Sequence, residues 1–84
     1  MTEQEKYLEG HRNCGIKVGD QVRVTRRAES DEGGWDNVWV GQMGRWVGKK
    51  VFVVEDFGVM GFGVGIDKRS VWNFSYPYFV LEKI

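Results

Sequence analysis

Glycine interrupts this chain too often for long regular elements, and the stretches between the glycines are made of strand-forming residues. Twelve glycines and one proline are spread along 84 residues. Valine is the commonest apolar residue, while leucine occurs only at Leu8 and Leu81 and alanine only at Ala28. Helices favour alanine and leucine, whereas strands favour valine and the aromatic residues. Short strands with a turn every few residues are therefore expected, in an all-β chain.

The size allows one domain. Hydrophobic residues make up 42% of the chain, enough for a core, and the formal net charge is +0. A chain this short buries only about 60–65% of its unfolded surface, so it needs dense packing or a partner. No apolar run approaches the length of a membrane span, and the polar start Met1-Thr2-Glu3-Gln4-Glu5-Lys6 has no signal-peptide pattern. With one cysteine, Cys14, an intramolecular disulfide is excluded, and a reducing, cytoplasmic setting is the expectation.

The order of elements can be read along the sequence. Residues 1–14 are polar apart from Tyr7 and Leu8, and are expected to form a frayed arm or a single helical turn. Gln21 to Arg26 alternates strictly, with Val22 and Val24 inward. Arg27 to Asn37 is a long loop whose middle carries Glu29, Asp31, Glu32 and Asp36 without a base. Val38-Trp39-Val40 reads as a short strand, Gly41 to Gly48 as an irregular connection, and Lys49 to Glu55 as the strongest strand. Val59 to Ile66 is a strand with glycine at alternate positions, which lets a sheet bend or another backbone approach. Val71 to Phe74 and Phe79 to Glu82 complete the set, with Tyr76-Pro77-Tyr78 between them. Such short strands are most economically arranged as a small five- to six-stranded barrel over residues 15–84.

This layout resembles the SH3-like barrel. Phe74-Ser75-Tyr76-Pro77-Tyr78-Phe79-Val80-Leu81-Glu82 is similar to the one-turn helix and last strand of SH3 domains. The Ala-Leu-Tyr-Asp-Tyr opening and the tandem Trp-Trp of peptide-binding SH3 domains are absent, and Phe79 stands where their ligand-touching tyrosine falls. The mind-bomb-type SH3-like module is a nearer resemblance. It is carried by Gly19-Asp20-Gln21-Val22-Arg23-Val24-Thr25-Arg26, by Gly34-Trp35 and Trp39, by Lys49 to Val53, and by Phe79-Val80-Leu81. Trp39-Val40-x-x-Met43 followed by Gly48-Lys49 is also similar to small bacteriophage and bacterial proteins, which implies an accessory protein that docks on another factor.

Few residues offer catalytic chemistry. The single histidine, His11, lies in the arm. His11 and Cys14 have the spacing of two metal ligands, but a tetrahedral site needs four, so no metal or cofactor is expected. Gly61-Phe62-Gly63-Val64-Gly65 shares the glycine spacing of phosphate loops, but the helix that such a loop requires does not follow.

The aromatic residues are more informative. Trp35, Trp39, Trp46, Trp72, Tyr76 and Tyr78, at roughly 150–250 Å² each, exceed what a small core absorbs. Alternation sets Trp39 opposite Val38 and Val40, which predicts an unusually aromatic face. Trp35, beside two glycines, is either a plug or a recognition residue. The expectation is a non-enzymatic recognition module. An exposed shelf of Trp35, Trp39, Tyr76 and Tyr78 would take a protein or extended peptide, and Glu29, Asp31, Glu32 and Asp36 would select a basic partner. The alternative is a nucleic-acid binder that uses Arg23, Arg26, Arg27, Arg45, Lys49 and Lys50 on phosphates and stacks a base on tryptophan. A third expectation is self-association through an edge strand.

Overall fold

Five strands form one antiparallel sheet in the computed structural model, which describes residues 2–67 and 74–84. They are β1 (Gln21–Val24), β2 (Lys50–Asp56), β3 (Phe62–Gly65), β4 (Phe74–Tyr76) and β5 (Leu81–Lys83), in the spatial order β4-β3-β2-β1-β5. Among the described residues β4 and β5 do not pair, so the sheet is open and the expected barrel is not closed. Among the described residues the edge strands are three residues long. A sheet closes only when its strands are long enough to tilt and stagger into register with one another.

The period-2 pattern places the core. Val22 lies opposite Val51, Val24 opposite Leu81, Val53 opposite Val64, and Phe62 opposite Tyr76. All eight are buried. A β-bulge in β2 between Val53 and Glu55 adds one residue, so Asp56 rather than Glu55 faces Phe62. Because side chains alternate, this one-residue slip sets the shorter carboxylate of Asp56, in place of that of Glu55, on the side of Phe62.

Residues 1–14 are not a frayed arm. An α-helix, α1, runs from Glu3 to Asn13. Thr2 Oγ1 accepts from Glu5 N at 3.1 Å, and Glu5 Oε1 accepts from Thr2 N at 3.2 Å, which forms a capping box. Glu3 and Glu5 in the first turn and His11 and Arg12 in the last complement the helix dipole. Eleven residues are marginal as an isolated helix, and Tyr7 and His11, one turn apart and both buried, dock it onto the sheet.

Several boundaries also differ from expectation. Val38 to Val40 is irregular rather than a strand and leads into a 3-10 turn at Gly41–Trp46. The expected strand over Val59 to Ile66 is a 3-10 turn, Gly58–Met60, followed by β3. Similarly, Tyr78–Val80 is a 3-10 turn and the last strand begins at Leu81. The expected strand over Val71 to Phe74 lies partly outside the described residues, as does Trp72. Gly61, at φ +102°, joins the turn to β3 where a Cβ would run into the Tyr76 carbonyl and lie 2.9 Å from Trp35 Nε1.

Candidate functional site

The four aromatic residues expected to form an exposed shelf do not form one. Trp35 is 0% exposed, and its Nε1 donates to the Met60 carbonyl at 2.7 Å, so it plugs the core beneath the acidic loop. Tyr76 is buried, and its hydroxyl donates to the Met43 carbonyl at 2.8 Å. Burial without a charged partner raises the pKa of this phenol above its ordinary value. Trp39 is half-buried and meets Tyr76 nearly edge-on, with ring centroids 5.4 Å apart. Tyr78 lies against Tyr7 at 5.1 Å and beneath Gly10 of α1, so the helix has claimed it.

The face assignment at Val38-Trp39-Val40 is therefore inverted. The two sides alternate as expected, but the tryptophan turns inward and the valines outward. Val38 is 54% and Val40 is 41% exposed. Nearby, on the turn after β2, Met60 is 46% exposed. These three residues, with Met43, Phe57 and Phe74, wall an apolar cleft of about 270 Å³ whose polar lining among the described residues is Asn37 and Ser75. Ser75 Oγ is already committed to the Met60 carbonyl. Among the described residues no titratable side chain lines the cleft. Its volume lies just below the ~300–1,000 Å³ of small-molecule sites and suits one or two side chains.

The acidic loop divides into two parts. Glu32 pairs with Arg26 at 2.9 Å and accepts from Glu29 N at 2.9 Å, which lowers its pKa and commits it to holding the loop. Glu29, Asp31 and Asp36 are exposed, and among the described residues no ion pair engages them. Asp31 and Asp36 share a shallow recess with Glu3. Asp36 precedes the cleft residue Asn37 in the chain, and its N–H donates to the Val59 carbonyl at 2.9 Å, which ties this end of the loop to the turn that carries Met60.

The basic residues are dispersed. Arg26 is held by Glu32 and lies over Phe79. Arg27 and Arg45 are exposed. Lys49 sits over Trp46 at 5.8 Å, and the indole is half-buried against the core, so this tryptophan is not a fully open stacking platform. Arg23 stands between Lys50 on β2 and Glu82 on β5. His11 and Cys14 do not point at a common site: Cys14 Sγ donates to the His11 carbonyl at 3.0 Å, while the imidazole reaches Asp56. Among the described residues no helix is long and apolar enough to cross a membrane.

Comparison with protein-family models, with curated proteins and with solved structures finds no match to this chain. The SH3-like resemblance therefore rests on the sequence motifs alone. Val38, Val40, Phe57 and Met60 were not expected site residues. The signal that could have found Val38 and Val40 is the alternation of Val38-Trp39-Val40 read with the larger ring inward; Phe57 and Met60 belong to a turn, which carries no such period.

Proposed function

We propose that this chain is a non-catalytic recognition module that holds a partner protein segment by one or two apolar side chains in the Val38/Val40/Met43/Phe57/Met60/Phe74 cleft. Arginine or lysine flanking that anchor would meet Asp31 and Asp36. The observation that carries this reading is the outward set of Val38, Val40 and Met60 around an apolar cleft, in a chain that buries Trp35 and Tyr76 completely. Exposed apolar side chains gathered around a cleft are what a partner's apolar side chain would cover, and the unpaired carboxylates of the neighbouring loop recess favour a basic sequence through charge complementarity. Burial of the anchor would supply most of the affinity, and the acids would supply selectivity and encounter rate.

The test is a titration with two synthetic peptides, one carrying two leucines flanked by arginines and the other the same leucines flanked by glutamates. The arginine peptide is expected to bind and the glutamate peptide to bind much more weakly. Val40→Asp is expected to abolish binding while leaving the unfolding midpoint nearly unchanged, since side chain 40 is exposed. Equal binding of both peptides would remove the role of the acids. No binding of either, in a chain that sediments as a dimer through the same face, would assign the cleft to a second copy instead.

A nucleic-acid reading has one observation behind it. Arg23 and Lys50 are direct cross-strand neighbours, and like charges so placed repel; Glu82 faces Arg23 from β5, which leaves the exposed Lys50 as the charge an added anion would meet. Retention of an oligonucleotide that falls steeply with salt would support it.

A further inference from the structure

One polar cluster lies apart from the cleft, where α1 meets the sheet. His11 is buried and lies flat on Phe62, with ring centroids 4.0 Å apart and planes 13° apart. Its Nε2 donates to Asp56 Oδ1 at 2.8 Å. The same carboxylate oxygen accepts from Gly58 N at 2.9 Å. Gly58 opens the turn whose Met60, with the preceding Phe57, forms one wall of the cleft. Leu8 of α1 approaches this turn too, 3.9 Å from where a Cβ on Gly58 would stand. On the other side, the His11 Nδ1 lies 3.4 Å from the Tyr7 hydroxyl, which accepts from Tyr78 N at 3.3 Å. One carboxylate oxygen thus joins the helix to the cleft wall, and the β2 bulge is what brings it there.

Burial alone does not explain this pairing. A phenylalanine at position 11 would also pack on Phe62, and a bond from a buried imidazole to a half-exposed carboxylate need be no more stabilising than such an apolar replacement. What the imidazole adds is a directed bond to the group that caps Gly58.

We propose that His11 is a positioning residue for the cleft. By holding Asp56 Oδ1 it fixes the Phe57–Met60 wall, so that docking of α1 and occupation of the cleft are coupled. This rests on the cleft being the docking site. The coupling is reciprocal: a segment seated in the cleft tightens α1 on the sheet by the same factor that a docked α1 tightens the segment.

The experiment is amide hydrogen exchange on the whole chain, with and without the leucine–arginine peptide. In His11→Phe, which keeps the ring stack and loses the bond, Gly58, Met60 and Gly61 are expected to exchange about fivefold faster or more, the equilibrium worth of one hydrogen bond. Val22 and Val24 keep their rates, and peptide affinity falls by a similar factor. His11→Gln, whose amide can still donate to Asp56, restores much of both. In the unmutated chain, peptide is expected to slow exchange at Tyr7 and His11, a measurement that stands even where His11→Phe does not fold. Faster exchange confined to α1, or uniform acceleration that includes Val22 and Val24, would overturn the positioning role. So would bound peptide that leaves α1 unprotected. Failure of the unmutated chain to bind peptide overturns the cleft itself and the coupling with it, whereas binding without these exchange changes overturns the coupling alone.

Discussion

Replacing Trp35 separates a structural plug from a recognition residue most sharply. The indole is completely buried, and its N–H is bonded to the Met60 carbonyl. Trp35→Ala should cost about 3–5 kcal/mol from lost burial and the cavity left behind. At roughly 0.05–0.15 kcal/mol per residue, the stability of an 84-residue domain is about 4–13 kcal/mol, so the substitution removes a large share and can unfold the chain. Trp35→Phe should cost less. It gives up one hydrogen bond, worth about 0.5–1.5 kcal/mol, but the Met60 carbonyl keeps Ser75 Oγ as a donor and is not orphaned. Urea unfolding followed by far-ultraviolet circular dichroism measures both variants without relying on the mutated fluorophore. In thermal unfolding each kcal/mol lowers Tm by about 4–8 °C at this size. A Trp35→Ala protein within about 1 kcal/mol of the unmutated chain would show that the ring is not a core element, because exposed sites are where substitutions cost so little.

Three further outcomes are expected. Gly61→Ala should destabilise by more than about 1 kcal/mol, since position 61 combines φ +102° with a carbonyl where the methyl must go; equilibrium unfolding checks it. Thr2→Ala should cost about 0.5–2 kcal/mol through loss of the capping box, and helical ellipticity should fall with it. Burial raises the Tyr7 and Tyr76 phenols above their ordinary value. For a group whose folded pKa is raised, the associated stability is complete below the unfolded pKa, about 10 for tyrosine. It is lost as pH rises toward the folded value. Unfolding free energy should therefore decline above about pH 10, and Tyr7→Phe should flatten part of that decline.

Much of the sheet was legible in the sequence because its signal is local. Gln21 to Val24 alternates cleanly, and its inward valines are buried as expected. The Lys50–Asp56 strand was also readable as a run of valines, but its bulge was not, because an extra residue leaves no mark in composition. The helix was written in Thr2-x-x-Glu5 and in the four-residue spacing of Tyr7 and His11. Two buried residues in eleven make too weak a periodic pattern to outweigh the polar composition. At Val38-Trp39-Val40 alternation defines two sides without saying which faces the protein. That choice was made by Tyr76, thirty-odd positions away, which offers a ring to Trp39. The open edges of the sheet likewise depend on strand lengths that turn residues only bracket.

The doubly engaged carbonyl of Met60 separates frame from finish. Trp35 and Ser75 both grip main chain there and leave the thioether outside. Selection could exchange that side chain for a longer, shorter or branched one while the ledge beneath it stayed where it is. A change of preferred ligand would then need substitution at a single outward position, with the surrounding architecture untouched.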